Sequence, residues 1–241
     1  MLRRSEWIEK DNTALDPVGA TAEPAGMKIL VIDVGGTHVK LLAPGRRLPV
    51  SLDSGPTMTP RRMVKEVLAA AAGSNFDHVA IGFPGPVRNG RPMREPWNLG
   101  RGWVGFDFRK AFGVPIRLIN DAAMQALGSY DGKNMLFLGL GTGLGSTMIR
   151  DGTLIPLELA HLPYRHGQSY EEYLGAAGYA RLGKRRWRQH VLDVVSLFVD
   201  AFEVDYVVLG GGNAKHVKEL PSNIRLGSNA NAFKGGKRLW S

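Results

Sequence analysis

The chain has 241 residues, 44% of them hydrophobic and 22% charged, and its 31 Lys and Arg against 22 Asp and Glu give a net charge of +9. That is globular composition, and a chain of this length buries about 70–75% of its unfolded surface, which excludes disorder or a fibre as a description of the whole. The absence of cysteine excludes a disulfide scaffold, a thiolate nucleophile and any zinc site built on sulfur, and it fits a reducing, cytoplasmic setting.

Residues 1–26 carry Glu6, Glu9, Asp11 and Asp16 and no continuous apolar run, so they read as a flexible extension and not as a secretory signal. Lys28 to Val34 (KILVIDV) is a short β-branched run that predicts a buried strand. GGTHVKLLA then predicts a tight turn and a returning strand, and LPVSL near Leu48 a third. Pro60 stands where a helix begins, with Met63, Val64, Val67, Leu68 and Ala71 forming its apolar stripe. His78 to Phe83 is another strand, ended by Pro84-Gly85-Pro86, and a loop follows through Trp97-Asn98-Leu99-Gly100.

The second half repeats this plan. Pro115 to Asn120 predicts a strand with a helix from Asp121, and apolar runs at 134–140 and 146–150 flank the turn Gly141 to Gly145. The longest uncharged stretch, 134–149, holds four glycines and two threonines, too polar to span a bilayer core of about 20 residues. A long helix carries Val191, Val194, Val195, Phe198, Val199 and Phe202 on one face, before the strand Asp205 to Gly210 and the turn Gly211-Gly212-Asn213. The alternation predicts two α/β lobes with a cleft between them, each organised around one glycine turn.

Four places carry candidate chemistry. In Asp33-Val34-Gly35-Gly36-Thr37 the glycines let backbone N–H groups approach a phosphate, Thr37 offers a hydroxyl, Asp33 a carboxylate for hydrated Mg²⁺, and Lys40 a nearby positive charge. The plain alternative is a glycine hairpin with an Asx contact. The loop from Gly141 through Thr142 and Gly143 to Ser146 is a second set of free donors. Neither loop is a Walker or G-x-G-x-x-G motif. Asn120-Asp121 at a strand end reads either as an N-cap aspartate or as a carboxylate able to take a proton from an attacking hydroxyl. Glu158-Leu159-Ala160-His161 sets an acid and an imidazole three apart, without the ligands of a metal motif.

In this order the pieces resemble the ROK family of sugar kinases, and within it the polyphosphate-dependent glucokinases. D-V-G-G-T-x-V-K (33–40), G-F-P-G-P-V (82–87), W-N-L (97–99), N-D-A (120–122), L-G-T-G-L-G-S (140–146), E-L-A-H (158–161) and L-G-G-G (209–212) follow the family's sequence of motifs. The resemblance implies an α/β, two-lobed actin-like ATPase (ribonuclease H-like) fold with a central cleft. The implied division is a small lobe at 27–117, onto which a C-terminal helix at about 229–241 packs back, and a larger lobe at 118–228. It makes Asp121 the general base on a hexose 6-hydroxyl, with Asn98, Asn120, Glu158 and His161 on other sugar hydroxyls. Asp33 positions Mg²⁺ through water; Gly35, Gly36, Thr37, Lys40, Thr142 and Gly143 cradle phosphates; Gly211 and Gly212 border the donor, ATP or polyphosphate.

The same resemblance implies glucose as the sugar, a homodimer, and no zinc, DNA or membrane partner. Alanine stands at position 160 where the family has glycine, and its methyl is expected to crowd the turn that aims His161; Ala123 replaces a polar or acidic residue, and Leu162-Pro163 follows His161 where the polyphosphate branch commonly has an acid. A catalytically impaired sugar-binding or regulatory member is the competing expectation, although about 26 residues before the first strand are too few for a helix-turn-helix domain. The excess positive charge concentrates at Arg181, Lys184, Arg185, Arg186 and Arg188, with Lys234, Lys237 and Arg238 near the end. These read as solvated faces or as a strip for a polyanionic donor.

Overall fold

The computed structural model describes residues 26–228 and 230–241, and the predicted extension, Gly26 apart, lies outside them. In the first half, strands β1 (Ile29–Val34), β2 (His38–Leu42), β3 (Val50–Asp53), β4 (His78–Phe83) and β5 (Ile116–Asn120) form one sheet in the order β3-β2-β1-β4-β5. β1, β2 and β3 pair antiparallel, and β4 and β5 add in parallel to β1. In the second half β6 (Met135–Leu140), β7 (Leu144–Arg150), β8 (Thr153–Leu157), β9 (Tyr206–Gly210) and β10 (Ile224–Leu226) repeat this order as β8-β7-β6-β9-β10. The central strands β6 and β9 are apolar and buried nearly throughout because both faces are covered, whereas the edge strands β5 and β10 expose Arg117 and Arg225. The result is a two-lobed actin-like fold.

Helices α1 (Pro60–Ala70) and α2 (Phe108–Phe112) cover one face of the first sheet. Thr59 caps α1 by accepting from Arg62 N–H, and Pro60 fills the first turn where a missing N–H costs nothing. On the other face lies α3 (Asp121–Ser129), whose Met124 and Leu127 pack with Ile29 and Val31. The second lobe is covered by α4 (Tyr170–Leu174) and α5 (Ala176–Phe202), where Trp187, Val191, Val194 and Phe198 meet Leu136, Leu138 and Leu209. α4 starts with a capping box of Ser169 and Glu172. α5 is the predicted long helix, broken at Gly183 by a positive φ of 71°.

The last helix, α6 (Ala230–Arg238), lies against α3 and β1. Side chains at Gly128 or Gly235 would collide with the opposite backbone, so the helices meet at glycines. Arg117 donates to the Leu239 carbonyl and stacks over Trp240 at 4.6 Å. Arg238, expected on the basic surface, is buried: its guanidinium donates to the carbonyls of Leu127 (2.8 Å) and Tyr130 (2.7 Å) at the end of α3, satisfying acceptors that a helix terminus leaves open. The sequence reading also passes over β10, α2 and α4, which are too short to show a period of their own, and over β8, whose Pro156 argues against a strand. No helix among the described residues is long and apolar enough to cross a membrane.

Candidate active site

β1 delivers Asp33 to the C-terminal end of its sheet, one residue before the turn, directly opposite Lys40 on β2 and beside Gly82 on β4. The turn is firmly held. Gly35 N–H donates to the His38 carbonyl (2.9 Å), and the Ser54 hydroxyl donates to the Gly35 carbonyl (2.6 Å). Thr37 is exposed, and a Cβ on Gly36 would stand 3.0 Å from that of Asn98. Asn98 therefore rests on the first glycine turn. Its loop is organised by Glu95, whose carboxylate accepts from the N–H groups of Gly102, Trp103 and Val104 at 3.0–3.2 Å. Neither Ser54 nor Glu95 has a local sequence signal; both act across loops.

β5 ends at Asn120, which caps α3: its Oδ1 accepts from Ala123 N–H (3.1 Å) and its Nδ2 donates to the Gly85 carbonyl (3.1 Å). The N-cap is thus Asn120, not Asp121 as the plain reading had it. Asp121 occupies the first helical position, where its carboxylate accepts from the adjacent Ala122 N–H at 2.8 Å. Burial, and then the nearby Asp33 charge, push its pKa up to about 7, with Glu158 adding to the effect against backbone N–H bonds. Burial likewise raises Asp33 to about 6, while the Lys40 charge pulls it back. The charges of Asp33 and Glu158 both reach Asp121, and the charge on one carboxylate disfavours ionisation of the next.

Glu158 and His161 are exposed, with Oε2 and Nε2 4.0 Å apart across a short 3₁₀ turn, Leu159–His161. Ala160 in that turn has no positive φ, and its methyl is buried in the second lobe's core. The expected crowding does not occur, because the backbone there is helical and a Cβ fits. Ala123 is fully buried in α3, where an acid would lie inside the protein.

The second glycine turn lies against α3. A Cβ on Gly145 would stand 2.8 Å from that of Ala122. Thr142 is exposed, and Gly143 leaves the space that Glu171 of α4 fills. The Glu171 carboxylate accepts from Leu144 N–H at 3.1 Å, so one of the loop's donors is engaged by the protein itself. The turn at Gly211 and Gly212 is tied to the same place: Asn213 N–H donates to the Leu140 carbonyl (2.9 Å) and its Nδ2 to the Gly141 carbonyl (3.3 Å). Glu171 escapes sequence reading, although Ser169-x-x-Glu172 is a capping pattern that marks a helix start beside it, and Asn213, read there only as part of a turn, ties that turn to the second glycine loop.

The site so assembled has carboxylates between two glycine turns. Residues 29–156, which include both turns, match the ROK family. The chain belongs to that family. A polyphosphate glucokinase of Mycobacterium tuberculosis is 28% identical over 216 residues, spanning 80% of each chain. Among solved structures, the polyphosphate/ATP-glucomannokinase of Arthrobacter sp. strain KM superposes with a TM-score of 0.71 at 24% identity, covering 88% of this chain and 97% of the other. A ROK family transcriptional regulator, a homolog of the E. coli MLC protein, shares the fold with a TM-score of 0.66 at 15% identity, covering 89% of this chain and 78% of that one. The ROK fold therefore serves both kinases and regulators.

Proposed function

We propose that this ROK protein is a hexokinase-type phosphotransferase that moves a phosphoryl group from polyphosphate or ATP to the 6-hydroxyl of a hexose, glucose first. The observation that carries the reading is the placement of Asp121: the first residue of α3, directly after the end of β5, within electrostatic reach of Asp33 and Glu158, where burial and those charges raise its pKa to about 7. A base needs a pKa near the working pH to take a proton and give it up again, and such help contributes roughly 10²–10⁴-fold.

Asp121 accepts the proton of the 6-hydroxyl as that oxygen attacks phosphorus. Asn98, Glu158 and His161 hold the remaining hydroxyls, and Asn120 contributes its second amide proton while capping α3. The free N–H groups of the two glycine turns, with Thr37, Thr142 and Lys40, orient the donor phosphates, and Gly211 and Gly212 border the donor. The donor set suits Mg²⁺: crowded carboxylate oxygens raised in pKa are what a hard cation relieves, and Mg²⁺ binds through one or two carboxylates while keeping its waters. Asp33 would hold it, and when bound the ion neutralises charge developing on the transferred group. The proposed division is a small lobe at 27–117 and a larger one at 118–228, in the cytoplasm, as a homodimer.

The second reading is a sugar-binding member without turnover, favoured by the engagement of both polar ends of Asn120 inside the protein. A matrix of ATP and long-chain polyphosphate against glucose, mannose, fructose, N-acetylglucosamine and N-acetylmannosamine, with Asp121→Ala as the blank, separates the two. Turnover that vanishes in the blank supports the kinase. Sugar-induced thermal shifts without turnover in any pair support the binding protein.

A further inference from the structure

A groove of about 480 Å³ lies between α6 and the outer strands β2 and β3 of the first sheet, and none of the sugar residues lines it. Lys40 and Ser51 form one wall, directly opposite each other on β2 and β3. Phe233, Lys234 and Lys237 form the other, on one face of α6, and Arg47 closes the end from the turn before β3. Four of the lining residues are cationic and none is acidic; the Lys40 charge acts on Asp33 and the Lys234 charge reaches Asp131, both outside the lining, so the groove itself keeps a positive excess. That excess attracts an anion, and the apolar lining of Leu42, Pro49 and Val50 lowers the local dielectric and makes each charge count for more.

Lys40 links the groove to the cleft. It stands in register with Asp33 and its charge acts on that carboxylate, while its side chain lines the groove. The other basic strip is less suited to a ligand: Arg181 donates to the Glu172 carbonyl (2.9 Å) and stacks on Tyr173, Arg188 pairs with Glu219 at 3.5 Å, and Trp187 between them is buried.

We propose that this groove is a subsite for a linear inorganic polyphosphate, holding the phosphates beyond the one transferred, with Arg47 and Lys234 as its contacts and Lys40 as the step into the cleft. The proposal rests on the phosphoryl-donor reading above. A nucleotide shares the phosphate chemistry but carries too few phosphates to need both cleft and groove.

The test uses the full chain and the Arg47→Gln/Lys234→Gln double variant, both positions being exposed, with Arg185→Gln/Arg186→Gln as comparator. Equilibrium binding of long-chain polyphosphate, tripolyphosphate and ATP is measured without sugar over a salt series, and KM for each donor with glucose. The expected result is a KM for long-chain polyphosphate that rises about tenfold more than that for tripolyphosphate or ATP, and a salt slope of long-chain binding reduced by about two, one per lost phosphate contact. Equal effects on all donors, no effect, or a larger effect from the Arg185/Arg186 variant would overturn it. Long-chain binding through Arg47 and Lys234 without turnover would keep the groove and refute the kinase. Turnover with ATP alone, with no polyphosphate binding, would do the reverse.

Discussion

The two sheets share one strand order, so the residue one step before each glycine turn can be compared directly. In the first sheet it is Asp33, opposite Lys40 and beside Gly82; in the second it is Gly139, opposite Gly145 and beside Gly210. The same topological position holds an ion pair's worth of charge in one lobe and bare backbone in the other. The missing Cβ atoms of the second lobe let α3 settle onto its sheet, with Gly145 against Ala122, and α3 in turn carries Asp121 to within electrostatic reach of Asp33. One lobe supplies charge, and the other supplies the close approach that places the base.

The largest effect that tests this comparison is at Asp121. Asp121→Asn is expected to reduce turnover by at least about 10²–10⁴-fold in steady-state assays, and the wild-type rate is expected to climb as pH rises through about 7, the pKa to which burial and Asp33 push the carboxyl. The same shift affects stability. Because the folded state keeps this proton to higher pH than the unfolded chain, its favourable contribution is complete below the ordinary carboxylate pKa and is lost as pH rises through about 7. Asp121→Asn should therefore melt above the wild type at pH 8, by about 2–4 °C for each kcal/mol relieved, with the gap closing towards pH 4. A lower melting temperature at pH 8 would contradict the strain assigned to Asp121.

Asp33→Asn makes the first lobe more like the second. It should weaken Mg²⁺ dependence and turnover and also lower the apparent pKa of the residual rate profile below about 7, since the Asp33 charge is part of what raises Asp121. A profile that stays put would remove the coupling between the lobes. Next in size is Gly145→Val, which drives a rigid side chain into Ala122 and should cost about 1–3 kcal/mol in chemical denaturation, together with activity. Gly82→Ala should cost less, because its Cβ would meet chiefly the flexible end of Met124. Equal costs would show that α3 is not seated primarily on the second sheet.

Glu171→Gln keeps an acceptor for Leu144 N–H while removing a negative charge from the second glycine turn, so donor KM should fall by about twofold to fivefold, under 1 kcal/mol. Glu171→Ala, which frees the loop, should raise it. The smallest expected change is a rise in sugar KM with little loss of kcat for Glu95→Ala, which releases the loop carrying Asn98; an altered donor KM instead would place that loop on the other side of the cleft.

The sequence by itself determined the parts whose physics is local. Strands β1, β4, β6 and β9 are largely β-branched or apolar runs that end at glycine or proline, and each glycine turn directly follows β1, β6 or β9, so their places and the residues they carry could be read directly. Family membership followed from the order of those turns. What only the tertiary structure decided involves partners far apart in the chain. Asn120 rather than Asp121 caps α3, because the helix already takes Asp121 as its first residue and the Asn120 side chain is the one placed to accept from Ala123 N–H. Ala160 fits because its turn is helical. Arg238, one more charge in a basic tail, is buried against the end of a helix more than a hundred residues earlier, while Lys40, Arg47, Lys234 and Lys237 come together only because α6 folds back across β2 and β3. Charge in a sequence is a list of residues; whether it stabilises, solvates or binds depends on the distances and burial that folding imposes.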